Sequence, residues 1–515
     1  MKKILALILA LCLLALCAAC GSKEPSTDTT PPTSSDTGNK PASGDTGSKP
    51  AANNNQPSGT AEVPNLVFAF PSYSNTDDHA SISAAMSEIT KEKLGCTVEL
   101  LPIDFTGYQE QMTLMTSGTE ALDILLISPF FGITGFIAQG QVVPITQYED
   151  TLLADAVAEI GKEYVEACKY SGELYGMPSL HEFGASYGII FRTDLLEKYN
   201  IDVSNIKSFE ELTPILDIIK QNEPDVVPLT TFNSAYTVAE AVFDSMFDEC
   251  GDKLGDLRMD DKTGKIITRF ETDEYRYWCD VAYDWYQKGY VFEDVATSQE
   301  SAESLMAADR LFCWLANGKP GYEEQEELNT GKQLTYIQLT PAISTTTSVN
   351  ALQLGMARNC KDPELAMKFL NLLYTDADLM TLLANGIEGK HYTKNDKGLA
   401  VMVENSSWVF NSWEMGNNFL TLLWDTDPAT KWEDTRVFNK TAVYSKAFGY
   451  TFDMTNLATE VAACQSVLEK YRFAIENGVI STDSVLDEFV SKLYDAGLQA
   501  IMDEKQAQLD AFLAS

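Results

Sequence analysis

Leu66-Val67-Phe68-Ala69-Phe70-Pro71 opens the part of this chain from which the fold is read. Five apolar residues closed by a proline have the length of a buried strand. Residues 79–94 then carry apolar positions at helical spacing and stop at Gly95, a residue suited to a helix end. Residues 97–102 alternate as a strand, and residues 107–117 return to helical spacing. Asp123-Ile124-Leu125-Leu126-Ile127 is again apolar and is followed by Ser128-Pro129-Phe130-Phe131. The order βαβαβ predicts a parallel sheet with helices on both faces. Ligands of such sheets lie beyond the carboxyl ends of the strands, here the loops 71–78, 102–106 and 128–132.

Toward the C-terminus a second unit follows. Residues 170–178 read as a tight hairpin with Ser171-Gly172 at its turn. Residues 186–192 are extended and lead into a helix over 193–199. Strands are expected over 334–339 and 351–357, and one long amphipathic helix over 363–383 with Glu364 and Lys368 placed as an i,i+4 pair. Residues 481–513 carry further helical periodicity. Trp278 and Trp285, seven apart on one helix face, and Trp314 in an apolar run are expected in the core.

Toward the N-terminus, Met1-Lys2-Lys3 precedes an apolar run over 4–16, the length of a secretory h-region and too short for a membrane span. It ends in Leu16-Cys17-Ala18-Ala19-Cys20-Gly21, which resembles a bacterial lipobox with Cys20 as the lipidated residue. Residues 21–62 are Ser, Thr, Pro, Gly, Asn and Asp with little apolar surface to offset ordering, and are expected to form a tether.

The composition narrows the function. Apolar residues make up 45% of the chain, enough for a sizeable core in more than one lobe. The net charge is −38, from 75 acidic and 37 basic residues. Such a surface repels nucleic acid and anionic lipid, so membrane attachment is expected only through the anchor. Beyond the leader and Cys20, Cys96, Cys168, Cys250, Cys279, Cys313, Cys360 and Cys464 are scattered without a CxxC pair. They suit small buried hydrophobes better than a disulfide framework or a zinc site.

Asp123-Ile124-Leu125-Leu126, Tyr175-Gly176-Met177-Pro178, residues 187–196 and Ala366-Met367-Lys368-Phe369-Leu370 resemble, in order, the landmarks of extracellular solute-binding proteins of the maltose-binding type. Residues 385–392 and 413–420 look like the C-terminal domain of LipO-like lipoproteins. The first resemblance implies an α/β, two-lobed periplasmic-binding-protein fold with hinge strands, here followed by a mostly helical C-terminal extension. The expected layout is a leader over 1–20, the tether, a first lobe over 63–180 and 330–400, a second over 181–329 and a helical region over 401–515. It also implies ligand contacts at Ser128, Phe130 and Phe131, at His181, Glu182, Phe183 and Tyr187, and at Asn317. Ser72 and Tyr73 follow the first strand, and Trp408 and Trp413 stand in polar surroundings where a large aromatic more often has a partner. Aromatic faces and convergent polar groups suit a sugar, because burying an unpartnered hydroxyl costs about 1–3 kcal/mol.

Function is therefore expected to be capture of a carbohydrate or oligosaccharide by a lipid-anchored monomer that docks on an ABC permease outside the cytoplasm. Peptides or other polar nutrients are the nearest alternative, and a secreted glycoside hydrolase is the alternative of another class. Gly184-Ala185-Ser186-Tyr187-Gly188 matches GxSxG, but an extended run follows it where a nucleophile elbow needs a helix. The turn 259–264 places Lys262 where an EF-hand loop needs an oxygen ligand, and three dispersed histidines disfavour a catalytic metal. No cofactor is expected. A surface adhesin fits the anchor and tether but not the βα lobes.

Overall fold

The computed structural model describes residues 63–514 except Ser234; the leader, Cys20 and the tether 21–62 lie outside the described residues. β1 (Asn65–Ser72) and β2 (Thr97–Asp104) pair in parallel along their whole length, from Asn65 opposite Thr97 to Ser72 opposite Asp104. β3 (Ile124–Ile127) flanks β1 in parallel on its other side. Leu66 to Pro71 are all buried, as a strand covered on both faces requires. The intervening helices run His79–Leu94 and Tyr108–Ser117. Gly95, at φ 72°, ends the first by returning its N–H to the Lys91 and Thr90 carbonyls.

β4 (Val142–Val143) and β5 (Gly176–Pro178) complete the first lobe together with a strand that returns from far along the chain. Before it come β6 (Ser186–Arg192), β7 (Val227–Thr231), β8 (Phe247–Asp248), β9 (Leu257–Arg258), β10 (Leu311–Gly318) and β11 (Leu334–Gln338). β12 (Gln353–Ala357) is the returning strand, inserted antiparallel between β3 and β4, so the first sheet is mixed rather than purely parallel. The second sheet has the order β11-β6-β10-β7. The strand expected at 334–339 therefore belongs to the second lobe, and the first lobe resumes only at β12. Strand periodicity identifies a strand but not the sheet that receives it.

Three further boundaries differ from expectation. Asp376 adopts an extended conformation and caps Leu379 N–H, splitting the helix of 363–383 into Pro363–Thr375 and Ala377–Asn385. Gly497, at φ 113°, separates Thr482–Ala496 from Leu498–Ala514. Residues 401–515 do not form a separate body. Trp408 and Met415 complete the first core around Phe68, Phe70 and Phe369. Leu468, Ile475, Phe489, Ile501 and Leu509 pack with Phe243, Phe247 and Tyr275 of the second lobe. Among the described residues no helix is long and apolar enough to cross a membrane.

The chain passes between the lobes three times, and the passages pair with one another. Ala185 and Ile343 exchange hydrogen bonds of 3.0 and 2.8 Å, and Val443 joins Ile343 on its other side. Asn439 fastens the third passage to the first: its Oδ1 accepts Phe183 N–H at 2.8 Å and its Nδ2 donates to the His181 carbonyl at 2.7 Å. Gly184 lies against the Ile343 carbonyl with no room for a Cβ.

Candidate ligand-binding cleft

The carboxyl ends of β1, β2 and β3 bring four aromatic rings together. Tyr73 follows β1 and lies 4.5 Å from Phe105, which follows β2 and stacks at 5.3 Å on Phe130, which follows β3. Trp413 packs on Tyr73 at 5.6 Å. Local capping presents these rings. The Ser128 hydroxyl accepts Phe130 N–H at 3.1 Å, and the Asp104 carboxylate accepts Thr106 N–H at 3.0 Å. Phe130 is left 72% exposed, with Tyr73 and Trp413 also exposed, so this is a surface rather than a core.

Behind the rings stands a buried acid. Glu414 has one carboxyl oxygen, Oε2, without a hydrogen-bond partner. Burial pushes its pKa up to about 9, so at neutral pH it is protonated. Burial, and then Glu414, also push the Tyr73 phenol up to about 12. The Trp413 carbonyl accepts the Ser179 hydroxyl at 2.9 Å, which ties this segment to the first passage between the lobes.

A charged face belongs to the hinge and the second lobe. Glu182, on the first passage, bonds Lys319 beyond β10 at 2.5 Å, and His181 Nδ1 lies 3.7 Å from its other oxygen. Burial raises the Glu182 carboxyl, but Lys319 and His181 outweigh it and hold it well below the usual carboxylate range. Asn317 pairs with Tyr187 across β10 and β6. Close to Tyr187, the carboxyl oxygens of Glu240, Asp244 and Glu249 lie within 4.8 Å of one another. Lys253 bridges Glu240 and Glu249 at 2.5 and 2.9 Å, and Arg269 reaches Glu249 at 3.4 Å, so this cluster carries its own counter-charges. Burial and Glu249 raise Asp244 well above the usual range.

The residues singled out in the sequence divide between surface and support. Tyr73, Phe130 and Trp413 are brought together on the first lobe, and His181, Glu182 and Asn317 stand on the charged face. Ser72 and Ser128 shape their loops, since the Ser72 hydroxyl donates to the Ser74 carbonyl at 3.0 Å. Phe131 is buried against Tyr108 and Phe105. Phe183 is buried in the hinge against Tyr164, and the Tyr187 ring packs on the apolar cluster of the second sheet around Phe312 and Leu315. Trp408 is a correction. It is 2% exposed, its Nε1 donates to the Leu383 carbonyl at 2.8 Å, and it stacks on Phe410. Its polar neighbour Ser406 forms the turn that delivers the ring to the core, with its hydroxyl donating to the Trp408 carbonyl at 2.9 Å. Lys319 belongs to the same turn, 316–321, as Asn317, and Phe105 to the loop 102–106, whereas nothing in the sequence points to Glu414.

Ser186 of the GxSxG match is buried within β6, its hydroxyl donating to the Gly318 carbonyl at 3.1 Å. That setting lacks the exposed oxygen of a nucleophile elbow. Residues 259–264 form a turn closed by Asp261, which accepts Thr263 N–H at 2.8 Å.

Two α/β lobes, paired hinge passages and an aromatic face set beside a charged one define a two-lobed binder of small molecules. The chain belongs to the bacterial extracellular solute-binding protein family, which matches residues 73–380. Residues 446–514 match a domain of unknown function (DUF3502), downstream of the stretches 385–392 and 413–420 that resemble the C-terminal domain of LipO-like lipoproteins. A carbohydrate ABC transporter substrate-binding protein of Streptococcus pneumoniae serotype 4 is 25% identical over 451 residues, covering 85% of this chain and 89% of that protein. Among solved structures, the N-glycan transport solute binding protein (NgtS) of Streptococcus pneumoniae superposes with a TM-score of 0.78 at 23% identity, over 88% of this chain and 99% of that one. The same protein in complex with Man1GlcNAc gives 0.69 at 23% identity, over 88% of this chain and 100% of that one. A human-milk-oligosaccharide (HMO) binding protein associated with an ABC transporter of Bifidobacterium longum infantis gives 0.61 at 14% identity, over 88% and 99%.

Proposed function

We propose that this chain is the substrate-binding subunit of a carbohydrate ABC importer, and that it captures an oligosaccharide by closing two lobes over it without chemical change. The observation that carries this reading is the ring surface at the carboxyl ends of three strands, where exposed Tyr73 and Phe130 flank half-buried Phe105 and exposed Trp413 packs on Tyr73. Ring faces meet the C–H faces of sugars, and the polar groups of the hinge and second lobe meet hydroxyls. The relatives whose names and titles specify carbohydrate, N-glycan and Man1GlcNAc support the ligand class. The lipobox-like sequence at Cys20 and the polar segment 21–62 support anchoring outside the cytoplasm, where the protein, as a monomer, delivers its ligand to the permease of the same importer.

Calorimetric titration of the purified protein with mannose- and N-acetylglucosamine-containing glycans, milk oligosaccharides and peptides tests the reading. Saturable binding of a glycan that is recovered intact supports capture. Binding of peptides alone replaces the ligand class, and cleavage of the glycan replaces transport with hydrolysis.

A further inference from the structure

One edge of the ring surface rides on a turn that also carries a buried acid. Residues 411–414 make a single tight turn, closed by Glu414 N–H donating to the Asn411 carbonyl at 3.0 Å. Its last two side chains have opposite surroundings: Trp413 is 39% exposed and packs on Tyr73, whereas Glu414 is 2% exposed. Both flanks are fixed. Phe410 stacks on Trp408 and meets Phe70 at 5.5 Å, and Met415 is buried in the first core. Past the turn, the Gly416 carbonyl accepts Leu180 N–H at 2.8 Å, and Asn417 N–H donates to the Leu373 carbonyl at 3.0 Å. Between these flanks, among the described residues, one hydrogen bond reaches the turn from outside, from the Ser179 hydroxyl to the Trp413 carbonyl at 2.9 Å.

Glu414 has no counter-charge in this place. No lysine, arginine or histidine among the described residues pairs with it, and its Oε2 has no hydrogen-bond partner. The titratable groups that face it are two phenols, Tyr73 after β1 and Tyr108 at the start of the helix Tyr108–Ser117. Neither is a cation, and the Tyr108 hydroxyl already donates to the Leu126 carbonyl at 2.8 Å. A carboxylate in such surroundings has two courses: it stays protonated, or it moves to water. The second course is open here, because the turn is held firmly only at its two ends. Water reaches Glu414 when the turn lifts, and Trp413 is the adjacent residue of the same turn.

We propose that Glu414 is a positioning residue of the ring surface: the neutral acid seats the turn with Trp413 against Tyr73, and loss of its proton to hydroxide lifts carboxylate and tryptophan together. Burial keeps the proton in place up to about pH 9, so the seated form holds at neutral pH and the lifted form belongs to alkaline solution. That the lifted ring is a ligand contact rests on the carbohydrate reading above; the seating of the turn does not.

Tryptophan fluorescence of the full chain, quenched with acrylamide across neutral and alkaline pH, reads the turn without any ligand. Subtracting the Trp413→Phe variant isolates Trp413 from the other tryptophans. The expected result is a rise in the access of acrylamide to Trp413, in one step centred at about pH 9. The step should be about two pH units wide, as the titration of a single carboxyl requires. Glu414→Gln cannot ionise and should abolish the step, and Glu414→Met serves the same purpose should the amide disturb folding. Tyr73→Phe removes the neighbouring phenol but keeps the ring, and should retain the step. A flat wild-type profile, a step that survives the loss of the Glu414 carboxyl, or one that disappears with Tyr73→Phe overturns the proposal. So does a step that coincides with loss of helical circular dichroism, because it then reports unfolding of the whole chain. The step in a protein that binds no glycan would sink the capture reading and leave the seated turn standing; glycan binding without the step does the reverse.

Discussion

Gly184→Ala tests the hinge at one atom. A Cβ at this position falls 2.2 Å from the Ile343 carbonyl oxygen and 2.8 Å from its carbon, and both are backbone atoms that no rotamer change can move. The first and second passages must therefore separate. That breaks the two hydrogen bonds between Ala185 and Ile343, of 3.0 and 2.8 Å. Their net loss is about 1–3 kcal/mol, and burial of the unpaired groups brings the expected destabilisation to about 2–4 kcal/mol. This is a large share of an ordinary stability of about 5–15 kcal/mol. Urea unfolding followed by tryptophan fluorescence measures it as a lower midpoint at unchanged slope. Gly135→Ala is the control: its Cβ meets nothing nearer than 3.9 Å within the helix Ile133–Ala138, and it should gain about 0.5–1 kcal/mol. If Gly184→Ala unfolds within 0.5 kcal/mol of wild type while the control behaves as stated, the paired-passage account of the hinge is wrong.

Three further outcomes are expected. Trp413→Ala removes an exposed ring of the aromatic surface and should weaken glycan binding about tenfold with little change in melting temperature, read by calorimetry and thermal unfolding. Trp408→Ala should do the reverse, lowering stability by about 3–5 kcal/mol in urea unfolding by opening a cavity in the first core. Glu414 holds its proton to about pH 9 when folded, whereas the unfolded group releases it near the ordinary value of 4.5. The folded state binds more protons between these values, so stability declines as pH rises from about 4.5 to about 9 and then levels off. Glu414→Gln should match wild type near pH 5 and melt higher than wild type at pH 8.

The first lobe was legible because its strands are buried on both faces. Leu66 to Phe70 and Ile124 to Ile127 leave no polar residue to confuse a strand with an amphipathic helix. The helix His79–Leu94 was legible to the residue because Gly95 supplies the left-handed conformation that ends it. What failed was pairing at long range. Residues 334–338 read as a strand, but only the ladder from Leu334 opposite Arg192 to Gln338 opposite Gly188 decides which lobe receives it. Trp408 and Trp413 stand five residues apart in similar polar company, and one fills a core while the other faces outward. Glu414 left no signal among 75 acidic residues, since its character comes from its burial in the folded chain.

The three passages of the hinge also bear on how the molecule comes into being. Neither lobe owns a continuous stretch of chain. The first core waits for Trp408 and Met415, and the second waits for Leu509 and for buried Lys505, which reaches back across 253 residues to Asp252. Contacts of such separation slow folding, because the intervening loop must close before they stabilise anything. A partly synthesised chain therefore cannot complete its first core before Met415 or its second before Leu509. Completion of each lobe thus depends on chain made long after that lobe has begun, so assembly of the two lobes is bound together late in synthesis.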